Sequence, residues 1–171
     1  MLIGLTQLPT DGLGFEHQYA VAELDLSQHE FRFLQTPLVK GRVKAIELEM
    51  QVKGTIAAEL EAECDRCLEA VTLPIDKAFD LFYLPEKTQA GQGGEIELLE
   101  RELDVSFYRD DRIDLDELTL EQLELSLPLR ILCREDCHGL CAQCGTNLNL
   151  EQCTCQPEID SRWQALADLK N

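Results

Sequence analysis

The chain has 171 residues, with 15 lysines and arginines against 33 aspartates and glutamates, a formal net charge of −18, and eight cysteines. Against a typical domain of roughly 150 residues this is one domain with an appendage, and an apolar share of 44% excludes disorder throughout. No run reaches the roughly 18 apolar residues of a membrane helix, and Met1 to Pro9 carries no basic residue ahead of its apolar stretch, so the sequence predicts a soluble cytoplasmic protein. In that reducing setting, metal binding or free thiols is expected of the cysteines ahead of a disulfide framework.

In chain order, residues 16 to 24 form a first short strand candidate. Residues 36 to 53 then hold Lys40, Arg42, Lys44 and Lys53 against Glu47 and Glu49, whereas residues 86 to 132 hold 5 basic and 13 acidic residues. A chain this acidic is repelled from nucleic acid at long range, so any RNA contact falls to those four cations. The plainer reading of Lys40, Arg42 and Lys44 is the solvent side of a strand, since charged alternation usually marks a wet face.

From Ile46 to Cys64 the apolar residues keep one parity (Ile46, Leu48, Met50, Val52, Ile56, Ala58, Leu60, Ala62, Cys64), with glutamates between them, which predicts a half-buried strand. Gly54 interrupts it as a bulge or a turn. Val71, Leu73, Ile75, Phe79, Leu81 and Tyr83 predict the returning strand, with Cys64-Asp-Arg-Cys67 near the tip between the two. Three glycines among polar residues at 86 to 95 predict a mobile surface loop, and 102 to 108 is another strand candidate. Asp114, with Glu117 three residues on, caps a leucine-rich helix over 114 to 127 that Pro128 stops.

Six cysteines follow within 23 residues: Cys133, Cys137, Cys141, Cys144, Cys153 and Cys155. The segment has little apolar material with which to fold, so a metal is expected to hold it, and Zn²⁺ accepts four thiolates tetrahedrally. Cys141-Ala-Gln-Cys144-Gly145 is the clearest ligand pair, because such a turn aims backbone amides at the sulfurs while the glycine relieves its steric demand. Six sulfurs are too many for one four-coordinate ion and too few for two, unless Cys64 and Cys67 join or His138 substitutes. An iron–sulfur cluster and redox-active thiols are the alternatives. Cys64 and Cys67 lack the βαβ setting of a thioredoxin-like pair, and the plainer reading is a hairpin tip with small buried side chains.

No nucleophile elbow, H-E-x-x-H helix, P-loop or dinucleotide motif accompanies His17, His29 or His138, so no enzyme is predicted. As a set, however, Cys64-Asp-Arg-Cys67-Leu after a long alternating strand, a helix ending Leu125-Ser-Leu-Pro128, the run from Leu132 to Asn149, Cys153-Thr-Cys155 and Ile159-Asp-Ser-Arg-Trp163 resemble the YceD family, from about residue 15 to the end. The resemblance implies a bacterial or plastid protein needed for normal accumulation of large-subunit (23S) ribosomal RNA, with no established enzymatic activity. It also implies that the later cysteine set is separable from the shared function, because some members lack it.

With the charge of −18, the expected mode of action is through a basic partner, a ribosomal protein or the basic part of an rRNA-processing nuclease, with the rRNA precursor reached indirectly. A thiol-dependent redox enzyme using Cys64 and Cys67, or a zinc-binding adaptor unconnected with ribosomes, are the competing readings. The expected architecture is α+β: an antiparallel sheet with the leucine-rich helix across it over residues 1–128, then a cysteine-rich knuckle and a short final helix capped at Asp160 or Ser161 over 129–171.

Overall fold

The computed structural model describes residues 1–6, 8–20, 22–47, 49–86, 105–155 and Arg162. The expected loop beyond Glu86, and the expected final helix apart from Arg162, lie outside the described residues. The elements are β1 (Leu2–Gly4), β2 (Leu13–Gln18), β3 (Phe31–Ile46), β4 (Glu49–Glu63), β5 (Ala70–Pro85), β6 (Val105–Tyr108), β7 (Arg112–Asp114) and α1 (Leu115–Ser126). The fold is α+β. Among the described residues, no helix is long and apolar enough to cross a membrane.

The chain divides into two compact units, Met1–Ala62 with Thr72–Leu129, and Glu63–Val71 with Arg130–Asn171. The sequence places its boundary at 128/129 alone. The structure adds the β4–β5 turn to the C-terminal unit, because that turn bonds residues 130 to 149.

In the first unit, a five-stranded sheet has the order β2-β3-β4-β5-β6, and β1 pairs with β7 separately. β2, β3 and β4 pair antiparallel, while β6 joins β5 in parallel, so the sheet is mixed and not wholly antiparallel. Val39 opposite Ile56 and Val43 opposite Val52 are all fully buried, and Leu60, Ala62 and Phe79 continue the core. The alternation from Val52 onward thus marks a strand with one face inward.

Three expectations change. The strand expected to begin at Ile46 begins at Glu49: Ile46 ends β3 and pairs with Glu49 across a tight turn in which Glu47 has φ 54°. The turn switches the inward parity from odd positions on β3 (Val39, Val43) to even positions on β4 (Val52, Ile56). Exposed Ile46 thus only shares its numbering parity with the buried face of β4, and the hairpin is invisible to periodicity. Gly54 is neither bulge nor turn, since it faces Gly41 in unbroken register. A Cβ on Gly54 would lie 2.3 Å from the Lys40 carbonyl and 2.8 Å from the Phe79 ring, so glycine serves close approach there. The register shifts fall instead between Phe33 and Leu38, around Pro37, which has no N–H to give the ladder. The wet strand expected at the basic stretch is β3, longer at its N-terminal end than those residues suggest.

Helix α1 forms as its sequence dictates. Asp114 is extended, and its carboxylate accepts the amides of Asp116 at 2.9 Å and Glu117 at 3.5 Å. Leu127 caps the other end ahead of Pro128. Leu115, Leu118, Thr119 and Leu123 are buried, and the hydroxyls of Thr119 and Tyr19 lie 3.1 Å apart, while Leu125 stands 72% exposed.

Candidate metal centres

Both C-x-x-C motifs fold into the same turn within the second unit. The Leu68 amide donates to the Cys64 carbonyl at 2.9 Å, and the Gly145 amide donates to the Cys141 carbonyl at 2.8 Å. Leu68 and Gly145, each following its second cysteine, both adopt left-handed backbone, with φ 61° and 73°. The sulfurs match as well. Cys64 accepts the amides of Arg66 and Cys67, Cys141 those of Gln143 and Cys144, Cys67 that of Glu69, and Cys144 that of Thr146. Amides converging on sulfur favour the thiolate, the form that binds metal.

Each turn meets a second cysteine pair. Cys64 and Cys67 lie with Cys133 and Cys137, and Cys141 and Cys144 with Cys153 and Cys155; within each set the four sulfurs lie within 4.8 Å of one another. Cys64 Sγ is 3.9 Å from Cys137 Sγ, and Cys67 Sγ is 3.5 Å from Cys133 Sγ. Tetrahedral thiolates about 2.3 Å from an ion stand about 3.8 Å apart, so both sets could hold a four-coordinate metal. The sequence arithmetic is resolved by Cys64 and Cys67 joining, and His138 belongs to neither set. The hairpin tip is where the sequence puts it, with Cys64 and Cys67 buried. It is also half of a four-sulfur set, which the tip alone could not reveal because the other half lies more than sixty residues away.

The two sets differ in their surroundings. Cys64, Cys67 and Cys137 are buried, with Val71, Leu132, Leu140 and half-buried Cys133 packed against them. The Asp65 amide donates to the Ile131 carbonyl, the Ile131 amide to the Asp65 carboxylate, and the Arg66 guanidinium to the Cys137 carbonyl at 2.7 Å. The Leu140 amide donates to the Arg66 carbonyl at 2.9 Å, and Gly139, with φ 77°, lets the chain pass there, since a Cβ would lie 2.8 Å from that same oxygen. In the second set none of the four cysteines is buried, and Cys144 is exposed.

The loop between its two pairs serves the first set. The Asn149 amide donates to Cys137 Sγ at 3.3 Å while its carbonyl accepts the His138 amide at 2.7 Å, and Asn147 donates to Glu69 at 3.0 Å.

Crowding divides the thiols. Against the upward push of burial, the Arg66, Cys133 and Cys67 amides hold the Cys64 thiol down to about 6. The Thr146 hydroxyl and amide do the same for Cys144, at about 6. Cys67 is pushed up to about 12, the Glu69 amide being outweighed by burial and by Cys64, Cys133 and Cys137. Cys155 is pushed up to about 12, first by Cys144 and then by burial. Four thiolates at these separations require a cation to coexist.

The four cations singled out in the sequence share the exposed side of β3 and β4, with Arg42 opposite Lys53. Lys40 faces Glu16 at 3.0 Å, Lys53 faces Asp80 at 3.0 Å, and the Arg42 guanidinium donates to the Asp11 carbonyl at 2.8 Å.

Fold and site together define an α+β protein carrying paired cysteine knuckles. The family model described as large ribosomal RNA subunit accumulation protein YceD matches residues 52–170, and the chain belongs to the YceD family. An uncharacterized protein of Mycobacterium tuberculosis is 34% identical over 129 residues, 75% of this chain and 59% of that relative. YlbN of Bacillus subtilis is 23% identical over 132 residues, 77% of this chain and 72% of its own. A maize protein named as a chloroplastic large ribosomal RNA subunit accumulation YCED homolog is 37% identical over 62 residues, 36% of this chain and 20% of its own. The match thus takes in under two thirds of the mycobacterial relative's length. No solved structure matches.

Proposed function

We propose that this chain is a non-enzymatic ribosome biogenesis factor supporting accumulation of large-subunit (23S) rRNA in the cytoplasm, acting through a basic protein of the assembly or processing machinery. The observation that carries the role is the family match over residues 52–170. The charge of −18 supports the mode of action, since so acidic a surface attracts basic proteins and repels phosphate. Two of the four candidate RNA-contacting cations, Lys40 and Lys53, already face carboxylates, which leaves few to neutralise phosphates. Each missing phosphate contact lowers the salt slope of binding by about 0.7 for single strands, so affinity for naked RNA is weak near physiological salt.

In this reading the cysteine sets hold Zn²⁺. Closed four-thiolate shells suit zinc in a structural role, and its chemistry here is to join separate chain segments. Leu-rich α1 lies across the sheet, a placement supported by the Tyr19–Thr119 contact.

The test is affinity purification from cells, identifying both protein and RNA, alongside the variant Lys40→Glu/Arg42→Glu/Lys44→Glu. The expected outcome is a basic ribosomal or processing protein in the eluate, and less loss of rRNA in the variant than in cells lacking the protein. Nanomolar binding of purified protein to rRNA fragments, abolished together with rRNA accumulation by the triple change, would establish direct recognition instead.

A further inference from the structure

We infer that the chain carries two metal ions of unequal permanence: an inner one on Cys64, Cys67, Cys133 and Cys137, which is retained, and an outer one on Cys141, Cys144, Cys153 and Cys155, which is surrendered first. The inference rests on the zinc reading only in naming the ion. The partition rests on geometry.

Three observations carry it. First, the two C-x-x-C segments are the same device built twice, with the same turn, the same left-handed residue after the second cysteine and the same amide-to-sulfur bonds. Each repeat has its own second pair within 4.8 Å, so the eight thiols divide into two groups of four.

Second, access differs. Ligand exchange at a closed thiolate site begins with an incoming group reaching the ion or a sulfur. The inner sulfurs belong mostly to buried residues under Val71, Leu132 and Leu140, whereas the outer set has no buried member and an exposed Cys144. Third, connectivity differs. The outer ligands lie close together along the chain, so losing that ion frees one short segment. Losing the inner ion means separating the β4–β5 turn from residues 130 to 140, which are also joined through Asp65, Arg66 and Ile131.

The arrangement also runs in one direction. Asn147 and Asn149, between the two outer pairs, bond Glu69 and Cys137 Sγ beside the inner set. An outer ion that pins this loop therefore helps close the inner site, and its departure loosens the inner site's cover without removing an inner ligand.

The test uses the full chain purified under reducing conditions. Native mass spectrometry and elemental analysis give metal per chain, and a chromogenic chelator follows release with time. The expected result is two equivalents of zinc leaving in two separate steps. Cys141→Ser/Cys144→Ser should bind one equivalent and lose only the fast step. One equivalent per chain, release in a single step, or a fast step that survives in this variant overturns the inference.

Because Cys133→Ser/Cys137→Ser removes ligands from the buried set and can fail to fold, the inner site is read in unmutated protein by cadmium NMR. Two resonances in the four-thiolate range are expected, and one resonance overturns the partition. Two equivalents of iron would end the zinc identity and leave the partition intact, a single equivalent of zinc would do the reverse, and metal-free protein would end both.

Discussion

Single residues set how tightly each knuckle closes. Asn149 donates to Cys137 Sγ without belonging to either cysteine set, so with the proposed inner site Asn149→Ala should leave the metal content of freshly prepared protein unchanged while weakening that site. Loss of an outer-shell donor typically costs about 10- to 100-fold in affinity, readable as faster transfer of the slow equivalent to a chelator. Unchanged slow release would show that the bond is incidental.

Two glycines separate backbone strain from crowding. A Cβ on Gly145 meets nothing within 4 Å, so Gly145→Ala pays only for left-handed backbone, about 1 kcal/mol. Gly139→Ala should cost more, because its Cβ also runs into the Arg66 carbonyl. Urea midpoints of the two variants, prepared alike under reducing conditions, test the order, and equal losses would mean that the Arg66 segment yields.

At the scale of the element, the exposure of two leucines on α1 decides their weight. Leu123 is fully buried, and Leu123→Ala removes a core side chain and leaves a cavity, at a cost of about 2–5 kcal/mol. Leu125 is 72% exposed, and Leu125→Ala should stay within about 0.5 kcal/mol of the unchanged chain. Denaturant unfolding of the two variants checks the contrast, and a large loss from Leu125→Ala would mean that it packs against something in solution. The same contrast limits what a leucine count can say, since α1 is apolar on more than the face it buries.

For the whole molecule, apolar burial is divided unequally between the two units. The first unit has an apolar interior of its own, with Val39, Val43, Val52, Ile56 and Leu60 all fully buried. The second has a small buried cluster around Cys64, Cys67 and Cys137. Chelation of reduced protein should therefore speed amide exchange at residues 64–69 and 130–155 while 39–60 stay protected. Collapse of protection throughout would show that the sheet depends on the metal, and no change anywhere would show that neither cysteine set depends on metal for its structure.

The sequence alone determined the features that are local. Period-two alternation marked the inward face of β4, Asp114 and Pro128 bounded α1 to within a residue, and Cys141-x-x-Cys144-Gly145 announced its turn, because each depends on neighbours a few positions away. Cysteine arithmetic raised the need for a second source of sulfur. Only the tertiary structure decided which thiols meet, since Cys64 reaches Cys137 by the path of the intervening chain and not by any spacing rule. It likewise decided that β6 runs parallel to β5, that Gly54 faces Gly41, and that Lys40 and Lys53 face carboxylates across strands. Periodicity records which face of a segment is buried, and it carries no record of the segment's partner.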